Sequence, residues 1–256
     1  MTNATSQRYT IAERLSLVSA RKPHGHETDL LKFHVTFLNE GVYQILLREI
    51  FFKGEYSFEA GTESPVILDC GANIGMATLY FKYLYPKARI SSFEADPVTA
   101  SVLKKNVEQN RLVDVSVHNL MLSNKEGELP FYTCEEVAGI PSMSGNPNRT
   151  LNHREILVKA GKLSTYIEGP VDLLKLDVEG GEWDVMADLL ESGKIKLVRK
   201  MVIEYHHKID GQASCFSKFL SLLEEGGFEY QIAAEGCDPI SRQGVYQDFL
   251  IGAYRL

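Results

Sequence analysis

Two patterns of apolar positions recur along this chain. One is a short, nearly unbroken apolar run; the other places apolar residues three or four apart. From residue 65 onward the two alternate. Residues 66–69, 88–94, 113–119, 171–177, 198–205, 228–233 and 246–254 read as strands, and residues 74–85, 97–109, 182–192 and 213–225 carry helical spacing. Pro86, Gly193 and the Gly226-Gly227 pair are stop signals, and Asp96 before Pro97 suits a capped helix start. Strands alternating with helices predict a parallel sheet with helices on both faces. The last two strands have no helix between them, which predicts an antiparallel pair. The expected fold class is α/β: a seven-strand, mostly parallel sheet with one reversed strand.

Before residue 64 the pattern is less regular. Residues 10–20 predict a helix with Ile11, Leu15 and Val18 on one face, residues 33–37 alternate like a strand, and residues 42–52 are apolar at helical spacing. No long polar linker follows, so residues 1–63 are expected to form an N-terminal lobe, a cap on the substrate side, packed beside a cofactor-binding domain over 64–256. Residues 128–133 and 156–163 read as further β segments. The stretch between them, 134–155, carries Gly139, Pro141, Gly145 and Pro147 among Ser and Asn, and reads as a substrate loop.

Composition narrows the function classes. Apolar residues make up 44% of the chain, enough for a substantial core, and no apolar run approaches the roughly 20 residues of a membrane span. The polar first ten residues lack the apolar stretch of a secretory signal. Cys70, Cys134, Cys215 and Cys237 are scattered, which argues against a disulfide framework or zinc ribbon and for a reducing cytoplasm. The net charge of -7, without a Lys/Arg stripe, makes nucleic acid a poor partner. Monomer and homodimer both stay open.

Ligands of open α/β sheets bind beyond the carboxyl ends of the strands. At the first of these, Asp69 stands where the dinucleotide fingerprint has its first glycine, followed by Gly71, Ala72, Asn73 and Gly75. The glycines are expected to let backbone approach a ligand closely. A pyrophosphate would sit badly beside Asp69, whereas a cofactor with an ammonium group and no phosphate would be favoured by it. S-adenosylmethionine is such a cofactor. Glu94, about 20 residues on, suits both ribose hydroxyls, with Ala95 beside it. Asn119 offers an amide to a base edge, and Leu120 or Met121 a surface for the adenine ring. Asp177 ends the fourth strand, where a general base, a metal ligand or a contact to the cofactor amine would sit; Glu179 and Glu182 read equally as acids at a helix start. Glu204 and His206, two apart on one face of an extended strand, could bind a divalent ion together with Asp177, and His206 alternatively serves as general base. Trp183 is expected to pack the helix after the fourth strand.

These residues resemble a known family. The stretches 68–75 (Leu-Asp-Cys-Gly-Ala-Asn-Ile-Gly), 93–97 (Phe-Glu-Ala-Asp-Pro) and 172–182 (Asp-Leu-Leu-Lys-Leu-Asp-Val-Glu-Gly-Gly-Glu) look like those of FkbM-type methyltransferases. The runs 48–56, 122–129 and 203–206 add to the likeness, which spans roughly residues 48 to 207 in the expected order. The resemblance implies a Rossmann-like class I fold, dependence on S-adenosylmethionine, and methylation of a hydroxyl on a small secondary metabolite or sugar. It implies cofactor contacts at Asp69, Gly71, Asn73, Gly75 and Glu94. The reading taken forward is an O-methyltransferase with Asp177 or His206 as base and Glu204 orienting or binding a metal. Its rivals are N-methylation of an amine or peptide, a nicotinamide-dependent oxidoreductase, and a non-catalytic nucleotide-binding module.

Overall fold

The computed structural model describes residues 9–23, 25–134, 139–140, 142–149, 153–207, 209, 215–233 and 247–255. Helix α1 (Ile11–Ser19) starts with a capping box: the Thr10 hydroxyl accepts from the Glu13 amide, and the Glu13 carboxylate accepts from the Thr10 amide at 2.8 Å. Strands β1 (Glu27–Leu30) and β2 (Phe33–Thr36) form a hairpin. The polar run Glu27-Thr28-Asp29 gave no strand signal; its pairing with β2 supplies the order.

Helix α2 (Glu40–Leu46), capped by Asn39, runs on into a π-helical segment, Leu47–Lys53, which Gly54 ends in the left-handed region at φ 72°. The single helix expected over 42–52 is therefore two windings. The wider one buries Leu47, Ile50 and Phe51.

The main sheet contains β3 (Val66–Cys70), β4 (Arg89–Glu94), β5 (Val115–Asn119), β9 (Leu173–Leu176), β10 (Lys200–His207), β11 (Glu229–Ala233) and β12 (Gln247–Tyr254). Its order is β11-β12-β10-β9-β3-β4-β5, and only β12 runs antiparallel to its neighbours. This is the seven-strand, mostly parallel sheet with one reversed strand that the sequence pattern predicts. Helices α3 (Met76–Leu84), α4 (Pro97–Gln109), α5 (Glu182–Glu191) and α6 (Phe216–Glu225) make the crossovers.

Alternate strand residues enter opposite cores. Ile67, Leu173 and Val202 join one with α3 and with Tyr9, Leu17, Tyr43 and Phe51, so the N-terminal residues complete this face. Leu68, Leu174 and Ile203 join the other with Val185, Leu189 and Phe219 of α5 and α6. Each large side chain buried in this way stabilises by about 1.5–3 kcal/mol.

A smaller sheet, ordered β6-β8-β7, rises beyond the β5 end: β6 (Met121–Leu122), β7 (Gly127–Cys134) and β8 (His153–Gly161). β7 and β8 pair antiparallel from Gly127↔Ala160 to Cys134↔His153. The substrate loop expected over 134–155 is thus shorter, because both its ends belong to this hairpin; residues 135–138, 141 and 150–152 lie outside the described residues. Among the described residues, no helix is long and apolar enough to cross a membrane.

Candidate active site

A cavity of about 600 Å³ opens at the carboxyl ends of β3, β4, β5 and β9. Its floor is Gly71–Asn73, Glu94–Ala95, Leu120–Met121 and the turn from Asp177 to Gly181. Leu46, Ile50 and Tyr56 wall it on the N-terminal side, and Phe131 and Met143 of the smaller sheet and its loop on the other.

The two glycines of the first turn answer to the protein before any ligand. Gly71 has φ +78°, and a Cβ there would lie 1.6 Å from the Asp177 carbonyl oxygen. Gly75 has φ +92°, and a Cβ there would lie 2.6 Å from Leu103 Cδ1 of α4. Close packing against the turn after β9 and against α4 requires both glycines, which for Gly75 replaces the expectation that it clears space for a ligand. Gly71 also lines the cavity, whereas Gly75 stands behind it.

Glu94 joins two turns. Its carboxylate accepts from the Asn73 amide at 2.9 Å and from the Asp96 amide at 2.9 Å. Burial pushes its pKa up to about 7, against the pull of those two amides. Ala72, Ala95, Leu120 and Met121 share its cavity. Asn119 does not. Its side-chain NH2 donates to the Glu94 and Ala95 carbonyls, both at 2.9 Å, so it fixes the β4 turn and leaves only Oδ1 for a base edge.

Asp69 also lies away from the cavity wall. It is fully buried and accepts from Thr78 Oγ1 at 2.7 Å. Lys175 stands opposite it in the β3–β9 register, with Nζ 3.7 Å from Asp69 Oδ1. The expectation that Asp69 meets a ligand ammonium is corrected here, because the protein's own ammonium occupies that place. Lys175 Nζ lies 3.1 Å from Asp177 Oδ2 and donates to the Gly71 carbonyl at 2.6 Å. Burial pulls the Lys175 pKa down, but the Asp177 and Asp69 carboxylates overcome it and hold the side chain charged. Burial likewise raises Asp69, with Lys175 and Thr78 pulling back.

Asp177 lines the cavity with its side chain 19% exposed. The Tyr56 hydroxyl lies 3.3 Å from Asp177 Oδ2 and 3.4 Å from Glu204 Oε2. Burial, then repulsion from Asp177, pushes Glu204 up to about 9. Glu204 is partly buried and reaches the site through Tyr56.

His206 is withdrawn from the cavity. Its Nδ1 lies 2.9 Å from Glu182 Oε1 and its Nε2 3.0 Å from Glu179 Oε2, with the ring fully buried. Burial favours the neutral ring, but Glu179 and Glu182 outweigh it and hold His206 charged well above the usual histidine range. A histidine in this state has no vacant lone pair, so the expectation of a general base at His206 gives way to a structural cation. Arg149, from the loop between β7 and β8, donates to the same Glu179 oxygen at 2.8 Å.

The same geometry bears on a metal. Donor atoms of Asp177, Glu179 and His206 lie within 4.8 Å of one another, as do those of Glu204, His206 and Asp248. Both sets depend on His206, whose Nδ1 and Nε2 already lie 2.9 Å from Glu182 and 3.0 Å from Glu179. A divalent ion at Asp177 would have to compete with Lys175, 3.1 Å from its Oδ2. The donor set does not fit a resident ion.

Sequence reasoning missed Lys175, Tyr56 and Arg149 as site residues. The signal for Lys175 was present: a lone lysine in Leu173-Leu174-Lys175-Leu176 must find a buried counter-ion. Tyr56 and Arg149 had no comparable mark. Trp183, expected to pack its helix, is 36% exposed and lines the cavity.

Residues 69–230 match the family described as Methyltransferase FkbM domain. Methyltransferase 1 of Beauveria bassiana (strain ARSEF 2860) is 30% identical over 205 residues, covering 72% of this chain and 80% of the relative. Methyltransferase sdnD of Sordaria araneosa is 29% identical, covering 79% and 88%. The 31-O-demethyl-FK506 methyltransferase FkbM of Streptomyces tacrolimicus is 27% identical, covering 76% and 85%.

Proposed function

Because the chain belongs to the FkbM methyltransferases and is an S-adenosylmethionine-dependent enzyme, we propose that it methylates a hydroxyl group of a small molecule. The Streptomyces relative, named for 31-O-demethyl-FK506, supports oxygen as the acceptor atom.

The cavity suits the cofactor by its chemistry. Glu94 offers a carboxylate with unused lone pairs to the ribose hydroxyls, Leu120 and Met121 offer an apolar face to the adenine, and the backbone at Gly71–Asn73 borders the remainder. When bound, S-adenosylmethionine supplies its methyl as an electrophile, and the electron pair of the breaking sulfur–carbon bond stays on sulfur. The protein's own task is to align the acceptor hydroxyl and take its proton.

Asp177 is the residue assigned that task. The observation that carries this reading is its carboxylate on the cavity wall, paired with Lys175 Nζ 3.1 Å away. The apolar side chains of Leu46, Ile50, Phe131 and Met143 line the same space. Residues 1–63 act in this reading as a cap on the substrate side, through Leu46, Ile50 and Tyr56.

The test is a labelled-methyl screen over hydroxylated natural products, sugars and small amines. Label in a hydroxylated compound, with a kcat about 100-fold or more lower for Asp177→Asn, supports the reading. Label confined to amines would move the acceptor atom to nitrogen. A melting shift with NAD and none with S-adenosylhomocysteine would contradict the cofactor assignment.

A further inference from the structure

The Tyr56 phenol touches two carboxylates and has one proton to give. Its oxygen lies 3.3 Å from Asp177 Oδ2 and 3.4 Å from Glu204 Oε2. Two ionised carboxylates cannot both be satisfied by a single O–H, whereas a phenol can donate once and also accept. The surroundings decide the direction. Lys175 Nζ stands 3.1 Å from the same Asp177 oxygen, so the ammonium and the phenol O–H converge on Oδ2. Glu204 makes no ion pair among the described residues; it faces Asp177 and Glu179 beyond β9, Lys175 on β9, His206 on its own strand, Asp248 on β12 and the Tyr56 ring.

We propose that Tyr56 is the positioning residue of the methyl transfer, donating to Asp177 Oδ2 and accepting from a neutral Glu204 carboxyl. Lys175 and Tyr56 then occupy Oδ2 together; Oδ1, 3.8 Å from the buried His206 Nε2, is the oxygen left to accept from the acceptor hydroxyl. As the acceptor oxygen gains its methyl, its proton passes to Asp177 Oδ1 and later to water; Tyr56 and Glu204 keep theirs. The pKa of Glu204, pushed by burial and Asp177 up to about 9, agrees with a neutral acid at pH 7. Burial also holds the Tyr56 phenol un-ionised, with Asp177 and Glu204 adding to the rise. This assignment rests on Asp177 as the base and adds what aims it.

The experiment compares Tyr56→Phe, Glu204→Gln, Glu204→Ala and Asp177→Asn in the full chain. S-adenosylhomocysteine titration and melting establish that each variant folds. Difference infrared spectroscopy reads the protonated carboxyl directly and needs no acceptor. The expected result is a carboxylic-acid C=O band at pH 7 that vanishes in Glu204→Gln and shifts in Tyr56→Phe. With the acceptor found by labelled-methyl screening, Tyr56→Phe lowers kcat by about 10- to 100-fold with little change in KM. Glu204→Gln keeps an N–H donor toward Tyr56 and exceeds Glu204→Ala by about tenfold or more. Glu204→Gln no better than Glu204→Ala, or no acid band removed by the substitution, would overturn the proposal. An Asp177→Asn enzyme with full activity would instead remove the base assignment beneath it.

Discussion

Lys175→Met separates electrostatics from packing in the floor of the site. Methionine is close to lysine in length and fills most of the same space, so little cavity term arises. What is lost is the cation 3.1 Å from Asp177 and 3.7 Å from the fully buried Asp69, with its hydrogen bond to the Gly71 carbonyl at 2.6 Å. Breaking a buried pair by removing one partner costs about 3–5 kcal/mol, roughly 6–20 °C in Tm for a chain of this size. Urea unfolding at pH 7 measures it. Adding Asp69→Asn removes the stranded charge, and the double variant should recover about 2 kcal/mol or more.

The pH dependence has a definite sign. Burial already raises Asp69 above its ordinary 3.8, and loss of Lys175, which pulls it down, raises it further. An acid with a raised folded pKa binds more protons folded than unfolded, so stability falls as pH rises through that window. The deficit of Lys175→Met should be smallest below 3.8 and grow toward neutrality. A deficit under about 1 kcal/mol at pH 7, a flat pH profile, or no recovery in the double variant would refute the reasoning.

Three further outcomes follow from the geometry. The folded pKa of His206 lies above the ordinary 6.5, so its contribution is full below 6.5 and lost as pH rises through the folded value; urea midpoints should decline on that alkaline limb, and His206→Gln should flatten it. Glu94, with a pKa of about 7, should weaken S-adenosylhomocysteine binding as pH falls below that value, by up to about tenfold per unit in calorimetry, and Glu94→Gln should remove the dependence. EDTA should leave the methyl-transfer rate unchanged, whereas a loss restored by added magnesium or manganese would show a resident ion.

The sheet was legible because its strands are apolar runs separated by well-marked helices, and because the short Gly/Pro/Asp-bearing stretch before β12 suits an antiparallel strand. Its limits were local. Strand β1 is polar and owes its order to β2, and the π-helical turn at Leu47–Lys53 has the same apolar content as an ordinary helix. In the site, sequence position identified which residues stand at strand ends but not which way they face. Asp69 ends its strand as expected, yet register with Lys175 turns its charge inward. His206 shares a face with Glu204, yet Glu179 and Glu182 come from a turn whose approach no spacing rule reveals. Buried charge is settled by neighbours across the fold, and a linear pattern does not carry that information.

The insertion of β12 between β10 and β11 fixes an order of events during synthesis. Both flanking strands leave the ribosome before it does, and neither can pair with the other in the finished sheet. Until residues 247–254 emerge, β10 has an open edge along Lys200–His207, the strand that carries Glu204 and His206. The nascent sheet must therefore wait, with its β3–β9 half already able to form, for β12 to seat Asp248 beside His206. Translation rate and chaperone access in that interval bear on the yield of active enzyme.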